Sequence, residues 1–287
     1  VRIEPEWPEH NGAIGRFIGF GSRSHEMALR LRANTPPAFT VERRIDHCGR
    51  EPEDDRGRRQ GAILHVTGDI TMSNQTLFPD APDPKAAIFA TVALSLFSYF
   101  SLVLLTLHVV RPDYTPIDHM ISDYAIGRAG WLMTTAFVAL GFGCLSLSLG
   151  LWRTGPKKVS ATIGRLFLIV AFLGLMVTAT FPTDLETAKD TLHGIIHTVS
   201  FLVNIVSISI AALTLSLSFG ADPRWKSARL PSLLIVVALV VVFVAQYLTL
   251  HRGAPYGYTN RVFVLVVMGW LFFVALKLRT VSRHGVA

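Results

Sequence analysis

From residue 86 onward the chain alternates between long apolar runs and short polar connections. The runs lie near 86–110, 130–152, 161–181, 192–218, 231–250 and 261–278, each of about 18–27 residues. A helix rising about 1.5 Å per residue needs about 20 such residues to cross ~30 Å of hydrocarbon. The pattern predicts an all-α integral membrane bundle of six helices over 86–280. A short polar lead at 72–85 precedes it, and 281–287 forms a tail. Short connections make successive spans antiparallel neighbours. No internal repeat relates the two halves, which speaks against an inverted-repeat transporter.

Residues 1–71 follow no such pattern. They carry eleven Arg, no Lys and eleven Asp or Glu, with Gly, Pro and Arg interspersed as in Arg56-Gly57-Arg58-Arg59. Such a segment lacks the apolar content that offsets chain entropy. Three readings fit: a disordered cytoplasmic tail, a small domain of weak pattern, or an over-extended reading frame ahead of Met72-Ser73-Asn74. No apolar core of about 7–15 residues follows a basic start, so a secretory signal or transit peptide is not expected.

Composition supports the membrane class. Apolar residues make up 51% of the 287 and charged residues only 16%, against about 25% charged in soluble domains. The net charge of +7 belongs wholly to 72–287, because 1–71 balance to zero. Ten Lys or Arg fall at one edge of the spans: Arg153, Lys157, Lys158, Arg165, Arg224, Lys226, Arg229, Lys277, Arg279 and Arg283. Five fall at the other: Arg111, Arg128, Lys189, Arg252 and Arg261. The excess places both termini in the cytoplasm of a cell-membrane protein. Nucleic acid is not an expected partner, because these charges mark membrane edges and form no basic–aromatic groove. Cys48 and Cys144 lie in different parts of the chain, so neither a disulfide framework nor a cysteine metal site is expected. Gly141-Phe142-Gly143 lacks the flanking strand of a nucleotide motif. With Ala139, Cys144 and Gly150 it reads as close helix packing.

The orientation gathers the acids and histidines outside. The first outer loop holds Asp118, His119, Ser122 and Asp123; the second holds Asp184, Glu186 and Asp190, followed by His193 and His197. On the fourth span His193, His197, Ser200, Asn204 and Ser207 fall within about 40° of one line at helical spacing. Such a stripe must face the bundle interior or a wet cavity, because lipid cannot satisfy it. Two His at i, i+4 can converge on one ligand, metal or anion; interhelical hydrogen bonding explains the stripe as well. Thr115-Pro116-Ile117-Asp118 reads as the start of a short surface helix over 116–126, with Asp118 near its positive end. Thr183 to Glu186 has the form of a capping box. Arg261 opens the sixth span, either as an interfacial anchor or as a partner of Asp184 or Asp123.

Asp118-His119-Met120-Ile121-Ser122-Asp123 leads to Gly130-Trp131. Phe181-Pro182-Thr183-Asp184 precedes His193-Gly194-Ile195-Ile196-His197. Tyr256-Gly257-Tyr258-Thr259-Asn260-Arg261 opens the last span. In this order and spacing the motifs resemble a bacterial membrane-protein family catalogued as domain-of-unknown-function family 998, over about residues 88–280. The resemblance carries Ser122, Asp184, His193 and Arg261 over as matching positions. In that family the stretch before the last span often reads Gly-x-x-x-Arg with an acid; here Thr259-Asn260 precede the Arg. The resemblance implies architecture and no defined chemistry.

Three functions compete on these residues. The first is a non-enzymatic site at the outer face for a lipid headgroup, small molecule or partner helix. Its candidates are Asp118, His119, Ser122, Asp123, Asp184, His193, His197, Asn204 and Arg261. The second is a zinc-dependent intramembrane hydrolase, with His193, His197 and His119 as ligands and Asp118 or Asp184 as base. The third is a small-solute or proton-coupled transporter, with Asn204, Gln246, Tyr247 and the two His along its path. Haem is least supported, because His193 and His197 share one helix and only His108 offers a cross-helix ligand.

Overall fold

The computed structural model describes residues 82–184, 191–251 and 253–284. The expected extension at 1–71 and most of the lead, with Glu186, Lys189, Asp190, Arg252 and the last residues of the tail, lie outside the described residues. Six long helices follow in chain order: α1 (Pro84–Val110), α2 (Gly130–Thr154), α3 (Val159–Thr180), α4 (Leu192–Ser218), α5 (Pro223–Leu248) and α6 (Tyr256–His284). Each is long and apolar enough to cross a membrane, so the chain is a multi-pass membrane protein.

Two helices run beyond their apolar sequence. The fifth begins at Pro223 rather than near 231, because Asp222 caps it by accepting from the Arg224 N–H and Pro223 occupies its first turn. Pro231 therefore sits inside α5, where its missing N–H forfeits one ladder bond. The sixth starts at Tyr256 rather than 261 and runs to His284. The expected surface helix at 116–126 shrinks to a 3₁₀ turn, Ile121–Ala125. The carbonyls of Pro116 and His119 accept from Arg261 instead of feeding a helical ladder. Thr115, expected as an N-cap, donates its hydroxyl to Asp118 at 2.8 Å.

Each helix packs on the next, and α6 returns to α1, closing a ring; α2 also reaches α6. Burial follows: 61% of the apolar stretch of α2 is inside, against 22% for α5 on the periphery. Leu102, Leu105 and Val109 on α1, and Leu234, Val237 and Val241 on α5, point outward. In water such rows would be an aggregation hazard, whereas lipid tails solvate them. Between helices the packing is tight. A Cβ on Gly143 would enter the Phe97 ring, and one on Gly150 would meet Leu278.

Polar groups inside the ring are paired across helices. The Trp270 indole donates to Ser232 Oγ at 3.0 Å, and Ser232 meets Ser216 at 2.5 Å, joining α6, α5 and α4. At the end where α1 begins and α6 finishes, Asp83 N–H donates to Ser282 O at 3.0 Å, tying α1 to α6. The Trp225 indole donates to Thr154 O at 3.0 Å, and its ring stacks on Phe219 at 4.9 Å. Arg165 donates to Pro156 O and lies over the Trp152 ring at 5.0 Å. Asp83 pairs with Arg153 at 3.0 Å. Burial pushes the Asp83 carboxyl up, but the Arg153 guanidinium and the amides of Ala86 and Lys85 outweigh it, holding it below its usual 3.8.

Two expectations follow. A Cβ on Gly174 of α3 would overlap Asn204 Oδ1 of α4, so Gly174→Ala should cost about 1–3 kcal/mol of stability, as overpacking does. That cost should shrink in an Asn204→Ala background. A thermal-melt double-mutant cycle reads the coupling, and additive costs would mean that the two residues do not press on each other. The depressed Asp83 contributes stability above the ordinary carboxylate range, and the contribution is lost as pH falls through its lowered value. Melting temperature below about pH 3.8 should therefore fall more steeply in the wild type than in Asp83→Asn.

Candidate functional site

At the opposite end of the bundle, the α1–α2 connection is fastened by two arginines. Arg261, one turn into α6, donates Nε–H to His108 Nε2 at 2.8 Å. Its Nη1 serves the carbonyls of Pro116 at 2.9 Å, His119 at 2.6 Å and Gly257 at 2.9 Å, and its Nη2 reaches the Tyr124 hydroxyl at 3.2 Å. Only a guanidinium presents so many donors in one rigid fork. The His108 tautomer follows from its neighbours. Nδ1 sits 2.7 Å from Leu104 O, and a carbonyl cannot donate, so the proton is on Nδ1 and Nε2 is a bare acceptor.

Gly257 belongs to the same fastening. Its N–H donates to Ile117 O at 2.9 Å, and a Cβ there would run into the carbonyls of Ile117 and His119. The Gly-x-x-x-Arg spacing thereby acquires a physical reason. Glycine lets the loop backbone lie against the first turn of α6, and Arg four residues on collects the carbonyls that arrive there. Asn260 Oδ1 accepts from the Ile121 N–H at 3.2 Å.

Arg111 performs the second fastening. It pairs with Asp113 at 2.8 Å, donates to Ile126 O at 2.8 Å and Arg128 O at 2.7 Å, and lies over the Tyr114 ring at 4.4 Å. The hydrogen bond to Arg111 holds the Asp113 carboxyl below its usual value, and the same bond raises Arg111.

The other predicted residues fall into three surroundings. Asp118 is exposed beside Thr115, and His119 lies edge-on to Tyr114 at 4.8 Å. Asp123 is buried and accepts from the Met120 N–H at 2.8 Å. Asp184 accepts from both the N–H and the hydroxyl of Thr191, at 2.6 and 2.8 Å, and Thr191 in turn caps Gly194. The α4 cap is thus Thr191 braced by Asp184; the capping box expected at 183–186 lies partly outside the described residues. His193 is exposed against the Phe181 ring at 5.4 Å.

The stripe on α4 otherwise faces inward, with His197, Ser200, Asn204 and Ser207 all buried. His197 Nδ1 bonds Phe181 O at 2.7 Å, and the Thr178 backbone also acts on the ring through a hydrogen bond. Thr178 of α3 meets Ser200 Oγ at 2.8 Å and accepts from Asn204 Nδ2 at 2.9 Å.

A cavity of about 70 Å³ separates the stripe from the loop. Its walls are mostly apolar, from α1, α2, α3, α4 and α6. Ser122, Thr178, His197, Asn204 and Asn260 supply the polar positions along it. The space exceeds the ~10–15 Å³ that one water needs and falls short of the ~150 Å³ of a dry cavity that admits benzene.

The site therefore joins Ser122, His197 and Asn204, and leaves Asp118, His119, Asp123, Asp184 and His193 in structural or solvated roles around it. Arg261 pairs with His108 and carbonyls rather than with Asp184 or Asp123. Among the described residues no three His, Cys, Asp or Glu side chains gather where a metal could sit. His119, His193 and His197 are not brought together as zinc ligands. Gln246 is buried and Tyr247 exposed, and neither lines the cavity. Sequence reasoning missed His108, Thr178, Tyr124 and Asn260. Thr178 had a signal, since with Gly174 it forms an i, i+4 face opposite the α4 stripe. His108 had none, because its role depends on a partner 153 positions away.

A family model described as a protein of unknown function, DUF998, matches residues 92–277. No curated protein and no solved structure matches the chain.

The fastening predicts that Gly257→Ala and Arg261→Ala each lower the melting temperature and speed proteolysis within 111–128. Together they should cost less than their sum, because they loosen the same contact. Arg261→Lys should not restore stability, since one ammonium cannot serve three carbonyls, a histidine and a phenol. Restoration by Lys would mean that charge alone suffices.

Proposed function

The chain belongs to the DUF998 family, and from that premise we propose that it is a membrane-resident binding protein whose site is the cavity beneath the α1–α2 loop. Its ligand is the tip of an alkyl chain, from a lipid or a short alcohol, that enters the chamber only in part and carries an uncharged hydrogen-bonding group. The loop end faces outward, and both termini are cytoplasmic. The ten-to-five distribution of Lys and Arg between the two edges supports that orientation.

The observation that carries the reading is the cavity, an apolar chamber with a few polar groups contributed by the loop, α3, α4 and α6. That division of labour suits small-molecule sites, where apolar walls supply burial and a few polar groups fix orientation. An uncharged ligand is favoured over an anionic headgroup. Arg261 at the roof already serves five acceptors, and Arg111 is committed to Asp113 and two carbonyls. His197 Nε2 is the natural hydrogen-bonding partner, on a ring oriented through Nδ1 by Phe181 O.

The test uses the full chain in lipid nanodiscs and a short diazirine-bearing alkanol as photo-probe. Labelling should concentrate in 201–208 and 263–268. Ile208→Trp, which fills the chamber, should reduce it roughly tenfold, and His197→Ala should weaken it without shifting the labelled segments. Labelling that is indifferent to Ile208→Trp in a folded variant would exclude the cavity as the site.

A further inference from the structure

We propose that His108 and Arg261 form an acid-sensitive latch on the loop that roofs the cavity. The inference rests on the reading of that cavity as a binding site only for its consequence, since the latch itself is a property of the loop.

Arg261 Nε–H points at His108 Nε2 from 2.8 Å, and the latter accepts because Nδ1 is spent on Leu104 O. The bond from Arg261 requires a neutral imidazole, whereas Nδ1–H donates to Leu104 O in either charge state. When His108 takes up a proton, the proton has one place to go, Nε2, which Arg261 already faces. The acceptor becomes a donor, and two cations meet head-on. Histidine is the side chain whose charge changes most readily near physiological pH.

The hydrogen bonds of the two side chains run to carbonyls, to a phenol and to each other. Against His108 stands the Tyr124 ring at 5.3 Å, and Arg261 is the facing group from α6. Farther into the loop lie Tyr114, His119 and the Arg111–Asp113 pair, whose carboxylate is committed to Arg111. From the start of α2, Arg128 contributes a backbone carbonyl to Arg111. Among the described residues no carboxylate bonds either His108 or Arg261. Asp123, the buried acid of the 3₁₀ turn, accepts from the Met120 amide.

Expelling Arg261 from His108 acts on the whole fastening, because the same guanidinium holds the carbonyls of Pro116 and His119 and the Tyr124 hydroxyl. Those groups position Ile121 and Ser122, which line the cavity from the loop side. Protonation therefore lifts the roof and opens the chamber toward the outer medium, coupling access to external acidity.

Hydrogen exchange on the full chain in nanodiscs tests this, without ligand, at about pH 7.5 and about pH 5.5, corrected for the intrinsic chemistry. Exchange across 111–128 and at the Gly257 amide should rise roughly tenfold in acid while α3 and α4 stay protected. His108→Gln should abolish the rise, because its amide oxygen still accepts from Arg261 and gains no charge. His119→Gln should keep it. A flat wild-type profile, or an equal rise in His108→Gln, overturns the latch. If His108→Gln does not fold, Arg261→Gln decides: exchange should be high at both pH values, and a surviving acid step would overturn the proposal. A latch that opens in a protein whose cavity resists the photo-probe would leave this inference standing and remove the binding reading; labelling with no acid step would do the reverse.

Discussion

The loop end of this bundle depends on one guanidinium. Near hydrocarbon a backbone carbonyl cannot borrow water, and each unmet one costs several kcal/mol. Pro116 and His119 turn their carbonyls away from any helical ladder, and Arg261 supplies their donors. The non-helical course of 116–120, the close approach of Gly257 and the roof of the cavity all follow from where that side chain goes. Arg111 repeats the device on Ile126 and Arg128. The two arginines do for an irregular connection what hydrogen-bonded ladders do for the spans.

Elsewhere the bundle relies on small side chains and neutral hydrogen bonds. Gly174 lets Asn204 lie against α3, while Thr178, Ser200, Ser216 and Ser232 bridge helices through hydroxyls. Lipid offers no hydrophobic drive for helix association, so shape and such bonds carry the load. The cavity is a gap in this packing, placed where the polar stripe of α4 and the fastened loop come together.

The spans were readable because period and length are local properties. Six runs of apolar residues translate directly into six helices, and the inward stripe of α4 follows from its 100° spacing. Local capping was readable less well. Asp118, Thr115 and Thr183 have the right residue types for caps, yet Asp123 and Thr191 bond the backbone amides, because the distant Arg261 redirects one segment and Asp184 braces the other. The site was half visible. His197 and Asn204 announced themselves on a helix face, whereas His108, Tyr124 and Asn260 matter through partners more than a hundred positions away. A lone histidine near the end of an apolar run gives no hint of that.

The closure of the ring bears on how the molecule is made. Membrane helices leave the ribosome in chain order, so α1 and the α1–α2 loop are made before α6. Until α6 arrives, Pro116, His119 and His108 lack the partner that organises them, and Asp83 lacks Ser282 at the other end. The last helix lies between the first and the fifth and supplies fastenings at both rims. A chain stopped short of α6 would carry five helices and an α1–α2 loop without the guanidinium that gathers its carbonyls.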